Sequence, residues 1–560
     1  MDNQSGNKIF ITYSRSEKID CAEPTQRLCI YNNQNLSVRQ IDMPHPWENQ
    51  AKYKSDYECV YKYGEDLINW VGLYFSKTQD FRKSQKFWRI LIGRLTHELA
   101  VVYYFNLRLV ESLEESFEGS EFHYTSCDIS SLSLKRFTDS MRMINSIEFN
   151  SIVFSLIVKD RKMFVPRGYA YHSFGHIKFK FSSVIKLLVK KLWNSILIVL
   201  KPSNIYYHSY FAFSELIKLS VSSKRICLPF FGIDYFPLTK GRYGKCKQIL
   251  REEYFVFDLL YKALPDSIFS IIKNEIYCGY TPKNIITAIG DITIEHEMTR
   301  YLLAQWTFEN ARLIIRQHGG VYGSASFFMI ERMQRMNCDI FLTWGWEEDV
   351  KTLPIGIKPV TNKPRLEVGD IDLLLINVAY PKFYYHMFPS PQYAKMKSYI
   401  NDIQTIIKQT NNIDNKRNFV IRNYNSDFGW NIKSYLGDTI EKNGWSLSKD
   451  SFLKELRRSN LVVVTYNSTV HLQSMSLGVP TLLFFAKNNF EMRECPWVQG
   501  LIQSSIMHTD CDSLISTIRT LMNSDVRQWW RYRQHLVQGF LDKYYRVSEN
   551  YLSEFNNVIK

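Results

Sequence analysis

Cysteine is sparse and scattered in this chain: ten residues in 560, with no CxxC pair and no short Cys/His cluster. That spacing argues against a structural zinc site and a disulfide framework, and leaves reduced thiols in a cytoplasmic protein as the simplest reading. Long hydrophobic runs are missing as well. The most apolar stretch, Val184 to Leu200, is interrupted by Lys186, Lys190 and Lys191, so no uncharged run approaches the roughly 18–20 residues a membrane span needs. Met1 to Ser14 is polar, with no apolar core of leader length, and a cytoplasmic location is expected. Acidic charge is in deficit: 55 Asp and Glu against 70 Lys and Arg leave a net charge of +15. Such an excess favours a phosphate-bearing or polyanionic partner. It is spread along the chain without an RNA- or DNA-binding signature, which argues against nucleic acid. No repeat, heptad array or low-complexity tract occurs.

What is present is globular. Hydrophobic residues make up 45% and aromatics 15%, and a chain of this length exceeds one hydrophobic core. Residues 1–150 read as mainly helical, with Phe87 to Val110 carrying apolar residues at three- and four-residue spacing. Beyond 150, short apolar runs alternate with polar segments: Ile196 to Leu200, Arg225 to Leu228 and Ala311 to Ile315 are expected as strands of a first Rossmann-like domain, residues 151–360. Lys351 to Leu366, with three prolines and Gly356, has a linker composition. A second series follows in 361–528, with Leu373 to Val378, Asn418 to Arg422, Leu461 to Val464 and Thr481 to Phe485 as strands. Residues 529–560 read as a helix that crosses back to the first domain. The expected class is α/β.

Two segments carry the chemistry. Gln317-His318-Gly319-Gly320-Val321-Tyr322-Gly323 and Thr465-Tyr466-Asn467-Ser468-Thr469 each begin where an apolar run ends, and open α/β sheets bind ligands outside the carboxyl ends of their strands. His318 is suited to be a general base near neutral pH or a phosphate contact, and glycines beside it bring backbone N–H groups close to a ligand. A tight turn with a surface histidine accounts for the same residues. Neither the Walker loop nor the dinucleotide fingerprint is matched. Ser468 and Thr469 open a helix, which makes a phosphate cradle or an ordinary N-cap. Gln473 lies one turn on, within reach of a ribose. Arg422 ends a strand where a guanidinium would pair with phosphate. Trp344 and Trp346 offer indole faces for a sugar or base, or core packing. Asp370-Ile371-Asp372 is a DxD, but it precedes its strand rather than following it, and no essential metal is expected. The cationic stretch Val184 to Trp193 suits either an interfacial helix or burial.

Taken in order, the His318 loop through Tyr322-Gly323, Thr343-Trp344-Gly345-Trp346, Arg422 to Trp430, Thr465 to Thr469, Gly478-Val479-Pro480-Thr481, Glu491 to Glu494 and Trp529-Trp530 resemble the transferase family encoded among surface-polysaccharide and O-antigen genes. The likeness extends to Phe87 to Gly93. It implies a GT-B-like architecture, two Rossmann-like domains facing a cleft, with the donor bound by the C-terminal one. The second half is also similar to capsule-type Kdo transferases and CDP-glycerol glycerophosphotransferases. On that resemblance His318 and Glu331 are the catalytic candidates. Gly319, Gly320, Tyr322, Gly323, Arg422, Thr465, Asn467, Ser468, Thr469, Gln473, Arg493 and Glu494 are the donor-binding candidates. Gln473 departs from the pattern, standing where an acidic residue is expected. The implied activity is metal-independent transfer of a sugar from a nucleotide-sugar donor to a glycan or lipid-linked acceptor, without a cofactor and with peripheral contact to an anionic membrane. Transfer of a polyol phosphate and a non-catalytic scaffold role are the alternatives.

Overall fold

The computed structural model describes residues 8–12, 26–29, 45–127, 134–170, 193, 196–197, 199–231, 255–275, 279–288, 296–359, 369–380, 386–389, 393–410, 417–424, 426, 428, 430, 432–486 and 492–560. The chain forms two compact units, one made of Met1–Ile314 with Phe383–Met387, the other of Ile315–Lys382 with Phe388–Lys560. The division falls at Ile314, not at the proline-rich stretch near 360. Residues 351–359 are tied into the second unit: Gly356 donates its N–H to Glu554 Oε2 at 2.7 Å and Ile357 bridges to Val547.

In the first unit, β1 (Lys8–Thr12), β2 (Gln26–Cys29), β3 (Glu121–Cys127) and β4 (Phe164–Ala170) make a parallel sheet in the order β2-β1-β3-β4. This sheet was not legible in a segment that reads as helical. The helices are there too: α1 (Gln50–Gln79) and α2 (Gln85–Ser116) pack as a hairpin. Each begins at a residue whose side chain accepts from the first turn, Asn49 from Lys52 N–H and Ser84 from Phe87 N–H. α3 (Phe137–Ile144) and α4 (Ile147–Val158) follow, bent by 69°. Among the described residues no single helix is long and apolar enough to cross a bilayer.

A second parallel group has β5 (Asn204–Tyr207) between β6 (Cys227–Pro229) and β7 (Asn284–Thr287). The strand expected over 196–200 is helical at Ile196, Leu197, Val199 and Leu200. Only Leu197 is buried there while its three neighbours are exposed, so one face of a turn meets the core, and Pro202 stops the helix. α5 (Glu297–Phe308) then leads into β8 (Arg312–Arg316), along which the chain passes into the second unit.

α2 holds a fully buried charge. Glu98 accepts from Arg94 Nε at 2.8 Å and lies 3.1 Å from His386 Nε2, a residue of the 383–387 insertion. Burial alone would raise its carboxyl, but Arg94 and His386 together hold it below its ordinary value of 4.5. A carboxyl depressed in the folded state adds stability above that ordinary value, and the contribution is lost as pH falls through the folded one. Glu98→Gln is therefore expected to cost about 3 kcal/mol at neutral pH and to flatten the acid limb of the stability curve. Urea titrations between acid and neutral pH measure both effects.

The second unit carries α6 (Met329–Asn337), β9 (Ile340–Thr343) and β10 (Thr352–Pro354), then a six-stranded parallel sheet. Its strands are β11 (Ile371–Ile376), β12 (Phe419–Arg422), β13 (Ser446–Leu447), β14 (Ser459–Val464), β15 (Thr481–Phe484) and β16 (Met507–His508), ordered β13-β12-β11-β14-β15-β16. β11 and β14 pair Leu373 with Leu461 through Ile376 with Val464 and are buried along nearly their whole length. Such unbroken apolar runs are what strands covered on both faces require. α7 (Thr469–Ser476) follows β14, and α8 (Val526–Arg531), α9 (Gln534–Tyr544) and α10 (Tyr551–Ile559) close the chain. Parallel sheets with intervening helices in both units make this an α/β protein of Rossmann-like construction, as the sequence implies. The C-terminal segment is anchored by Arg546 N–H on Trp344 O and by Glu554 on Gly356.

Candidate functional site

Where β8 ends, Gln317 organises the turn. It is buried, its Oε1 accepts from Trp344 N–H at 3.0 Å and Trp346 Nε1–H at 2.8 Å, and its Nε2 donates to Gly319 O at 2.8 Å. One amide thus locks the loop after β8 to the loop after β9. Trp346 is consequently buried, not available for stacking on a ligand, and this corrects the expectation for it. Trp344 is half-buried and sets its edge against Tyr545, with ring centroids 5.4 Å apart.

Gly323 lies in the left-handed region at φ 70°, and a Cβ there would sit 2.5 Å from the Trp346 ring. Its role is to clear the indole. Its N–H donates to Glu331 Oε2 at 2.9 Å, and the other carboxylate oxygen takes Arg335 at 3.2 Å, with Arg493 at 3.9 Å. Glu331 is 4% exposed, and burial raises its carboxyl against the lowering effect of Gly323 N–H, Arg493 and Arg335. Both oxygens are committed to holding the loop, so the structure makes Glu331 a positioning residue in place of the catalytic partner expected. Glu331→Ala would leave the buried Gly323 N–H without its acceptor and take one carboxylate from Arg335, which keeps Glu348 and Asp349. A loss of about 1–3 kcal/mol is expected, read from the urea midpoint, with Glu331→Gln milder because an acceptor oxygen remains.

The two motif loops meet. Gly320 donates its N–H to Thr469 Oγ1 at 3.1 Å, and a Cβ on Gly320 would stand 2.5 Å from Ser468 O. Four residues on, Ser324 Oγ accepts from Asn467 Nδ2 at 2.8 Å. The oxygen of that amide, Asn467 Oδ1, is buried without a hydrogen-bond partner among the described residues. Arg493 closes the other side, donating its N–H to Ser324 O at 2.9 Å and Nε to Ala325 O at 2.7 Å, and pairing with Glu348 at 2.7 Å. Glu494 is exposed and stands apart, and Glu491 lies outside the described residues.

Ser468 caps α7, accepting from Val470 N–H at 3.2 Å while His471 Nδ1 accepts Ser468 N–H at 3.3 Å. His471 can accept because burial pushes its pKa down to about 3, leaving the ring neutral. This histidine was not singled out from the sequence; its place three residues after a serine cap was the available signal.

His318 is half-buried. The Tyr322 hydroxyl lies 3.1 Å from its Nδ1 and 3.4 Å from Nε2, and gives its own proton to Gln334 Oε1 at 3.0 Å. The hydroxyl oxygen therefore lies against the ring edge between the two nitrogens, where it favours neither tautomer. Tyr322 is buried, so as a donor contact it is corrected to a residue of the loop's interior.

Three further expectations are corrected. Thr465 is buried, its Oγ1 donating to Ile376 O at 2.9 Å and meeting Tyr399 Oη at 2.5 Å, so it fixes β14 against β11. Arg422 directs Nη1 to Glu455 at 2.8 Å and to Ser448 Oγ at 2.8 Å, an internal ion pair with no charge left over for a phosphate. Gln473 turns to the Tyr545 hydroxyl. Asp427 and Gly429 fall outside the described residues, as does Val184 to Leu192. Asp370 precedes β11 and its carboxylate is held by Arg458 at 2.7 Å. What meets is Gly320 with Ser468 and Thr469 at the head of α7, and Ser324 with the amide of Asn467, while His318 of the same loop contacts Tyr322.

The profile of the family described as "LIC12162 family transferase" matches residues 27–559. No curated protein matches. Among solved structures, TarM is 13% identical over 50% of this chain and 54% of its own, so about half of TarM is spanned, at a TM-score of 0.32. The S. aureus MnaA–UDP complex is 9% identical over 63% of this chain and 93% of its own (TM-score 0.36), and Acinetobacter baumannii MurG 9% over 64% and 99% (TM-score 0.33). Scores this low mark a loose correspondence.

Proposed function

Because this chain belongs to the LIC12162 family of transferases, we propose that its reaction is the transfer of a sugar from a nucleotide-sugar donor to a surface-glycan or lipid-linked acceptor. The observation that carries this reading is the direct contact of Gly320 with Ser468 and Thr469. It brings the loop that carries His318 against hydroxyls and a helix N-terminus, where negative charge is favoured. Glycosyl transfer builds charge on the departing nucleotide phosphate, and fixed dipoles aimed at that charge act most strongly in the transition state. His318 serves as the acceptor's base or as a phosphate contact. The charge is met by hydroxyls, backbone amides and imidazole, so turnover without added metal is expected. Were the acceptor lipid-linked, the reaction would take place at the inner face of the cytoplasmic membrane, with the chain's positive excess favouring peripheral contact.

The test is donor consumption. Incubation with UDP-, GDP-, CMP- and CDP-linked donors, with and without chelator, should show turnover of one sugar nucleotide that chelation leaves unchanged. Consumption of CDP-glycerol alone would replace the sugar by a polyol phosphate. Nucleotide binding without turnover of any donor in the presence of native acceptor would make the chain a non-catalytic member of the glycan machinery.

A further inference from the structure

In the first unit the helix Phe213–Ser223 joins β5 to β6 and turns Leu216, Leu219 and Ser223 inward, where all three are buried. Its outward side is apolar as well. Phe213, Ile217 and Val221, at four-residue spacing, are 57%, 52% and 76% exposed. The outer face of a surface helix is ordinarily polar, because water solvates polar side chains and orders around apolar ones. The apolar strip also runs past the helix. Leu200 and Ile226, both exposed, precede β5 and β6, and Asn204 N–H ties the two strand starts together by donating to Ile226 O at 3.2 Å.

The charges bordering this strip have one sign. Between 199 and 231 the chain has Lys201, Lys218, Lys224 and Arg225 against a single acid, Glu215. The three lysines are exposed, whereas Glu215 is buried and accepts from Ala212 N–H at 2.7 Å, so its charge is turned to the start of the helix. An exposed apolar strip with cationic borders is complementary to a surface that is anionic outside and apolar beneath. A second copy of this chain matches it less well, since a two-fold contact would set Lys218 and Lys224 against cations of the same strip. A small soluble anion would leave the apolar residues in water. We propose that this face docks on an anionic lipid bilayer, with Phe213, Ile217 and Val221 entering the head-group region and the lysines meeting lipid phosphates. It rests on the reading of a membrane-face reaction above, and gives that contact a place on the surface.

Co-sedimentation of the full chain with vesicles tests it, phosphatidylcholine alone against phosphatidylcholine mixed with phosphatidylglycerol. Binding to the mixed vesicles should be about tenfold tighter or more, and should weaken as salt is raised. Ile217→Ser combined with Val221→Ser should weaken it about tenfold through lost apolar contact, and Lys218→Glu combined with Lys224→Glu about as much through lost attraction. All four positions are exposed, so thermal melts and donor turnover without vesicles should match wild type. Absence of binding to the mixed vesicles would overturn the proposal, as would equal binding to both kinds or unaltered binding in either variant. So would a lowered melting temperature in the serine variant, the sign of a strip covered by this chain itself, or its loss of a dimer in sedimentation equilibrium, the sign of a second copy. Should vesicle binding fail while donor turnover persists, only this inference falls; should turnover fail while vesicle binding persists, the docking face stands without the transfer reading.

Discussion

His318→Ala is expected to lower turnover by roughly 10²–10⁴, the usual contribution of a positioned acid or base, while nucleotide affinity changes only a few-fold. The expectation follows from the position of His318 in the loop that meets Ser468 and Thr469, with the Tyr322 hydroxyl, which donates to Gln334, lying against the ring. Replacing Tyr322 by Phe removes this polar neighbour without removing the ring, so it should lower turnover less than His318→Ala and shift the pH profile of kcat/KM. Unchanged turnover in His318→Ala would remove the imidazole from the reaction. A fall in nucleotide affinity equal to the fall in kcat/KM would make it a phosphate contact instead.

Gly320→Ala should be nearly as damaging, for a steric reason. A Cβ at that position would stand 2.5 Å from the carbonyl oxygen and 2.6 Å from the carbonyl carbon of Ser468. Those are backbone atoms at the head of α7 and cannot swing aside as a flexible side chain would. The loops must separate, costing about 1–3 kcal/mol as overpacking does, and the Gly320–Thr469 hydrogen bond is lost with them. Displacement by about 1 Å is enough to reduce a positioned reaction by about 10². Gly319→Ala is the control: its nearest neighbour would be the Tyr322 ring at 3.6 Å, an ordinary contact. It should be close to wild type in stability, which the same denaturation measurement records.

Much of this was legible in the sequence, and the boundary between what was and was not is physical. Leu461 to Val464 and Leu373 to Ile376 read as strands because sheets covered on both faces need unbroken apolar runs, and the loops after β8 and β14 were marked by the change from such runs to small and polar residues. That the two loops touch depended on chain topology and became visible only in three dimensions. Side-chain roles were harder still. Arg422 sits at a strand end, as a phosphate ligand would, but the helix Phe452–Arg458 that follows β13 brings Glu455 to it from 33 residues away. Thr465 and Trp346 have the right chemistry at the right loops, yet Tyr399 and Gln317 claim them. Ile196 to Leu200 shows the remaining ambiguity, since five apolar residues suit a buried strand or one turn of helix equally well.

The account rests on the His318 loop and the Ser468–Thr469 loop forming one donor site. Hydrogen–deuterium exchange with and without nucleotide addresses this directly. Peptides covering 317–324 and 465–471 should gain protection together on adding the nucleotide that the donor assay selects, and both gains should vanish in Gly320→Ala. Protection confined to one of the two loops, or appearing elsewhere while both stay unchanged, would contradict a shared site.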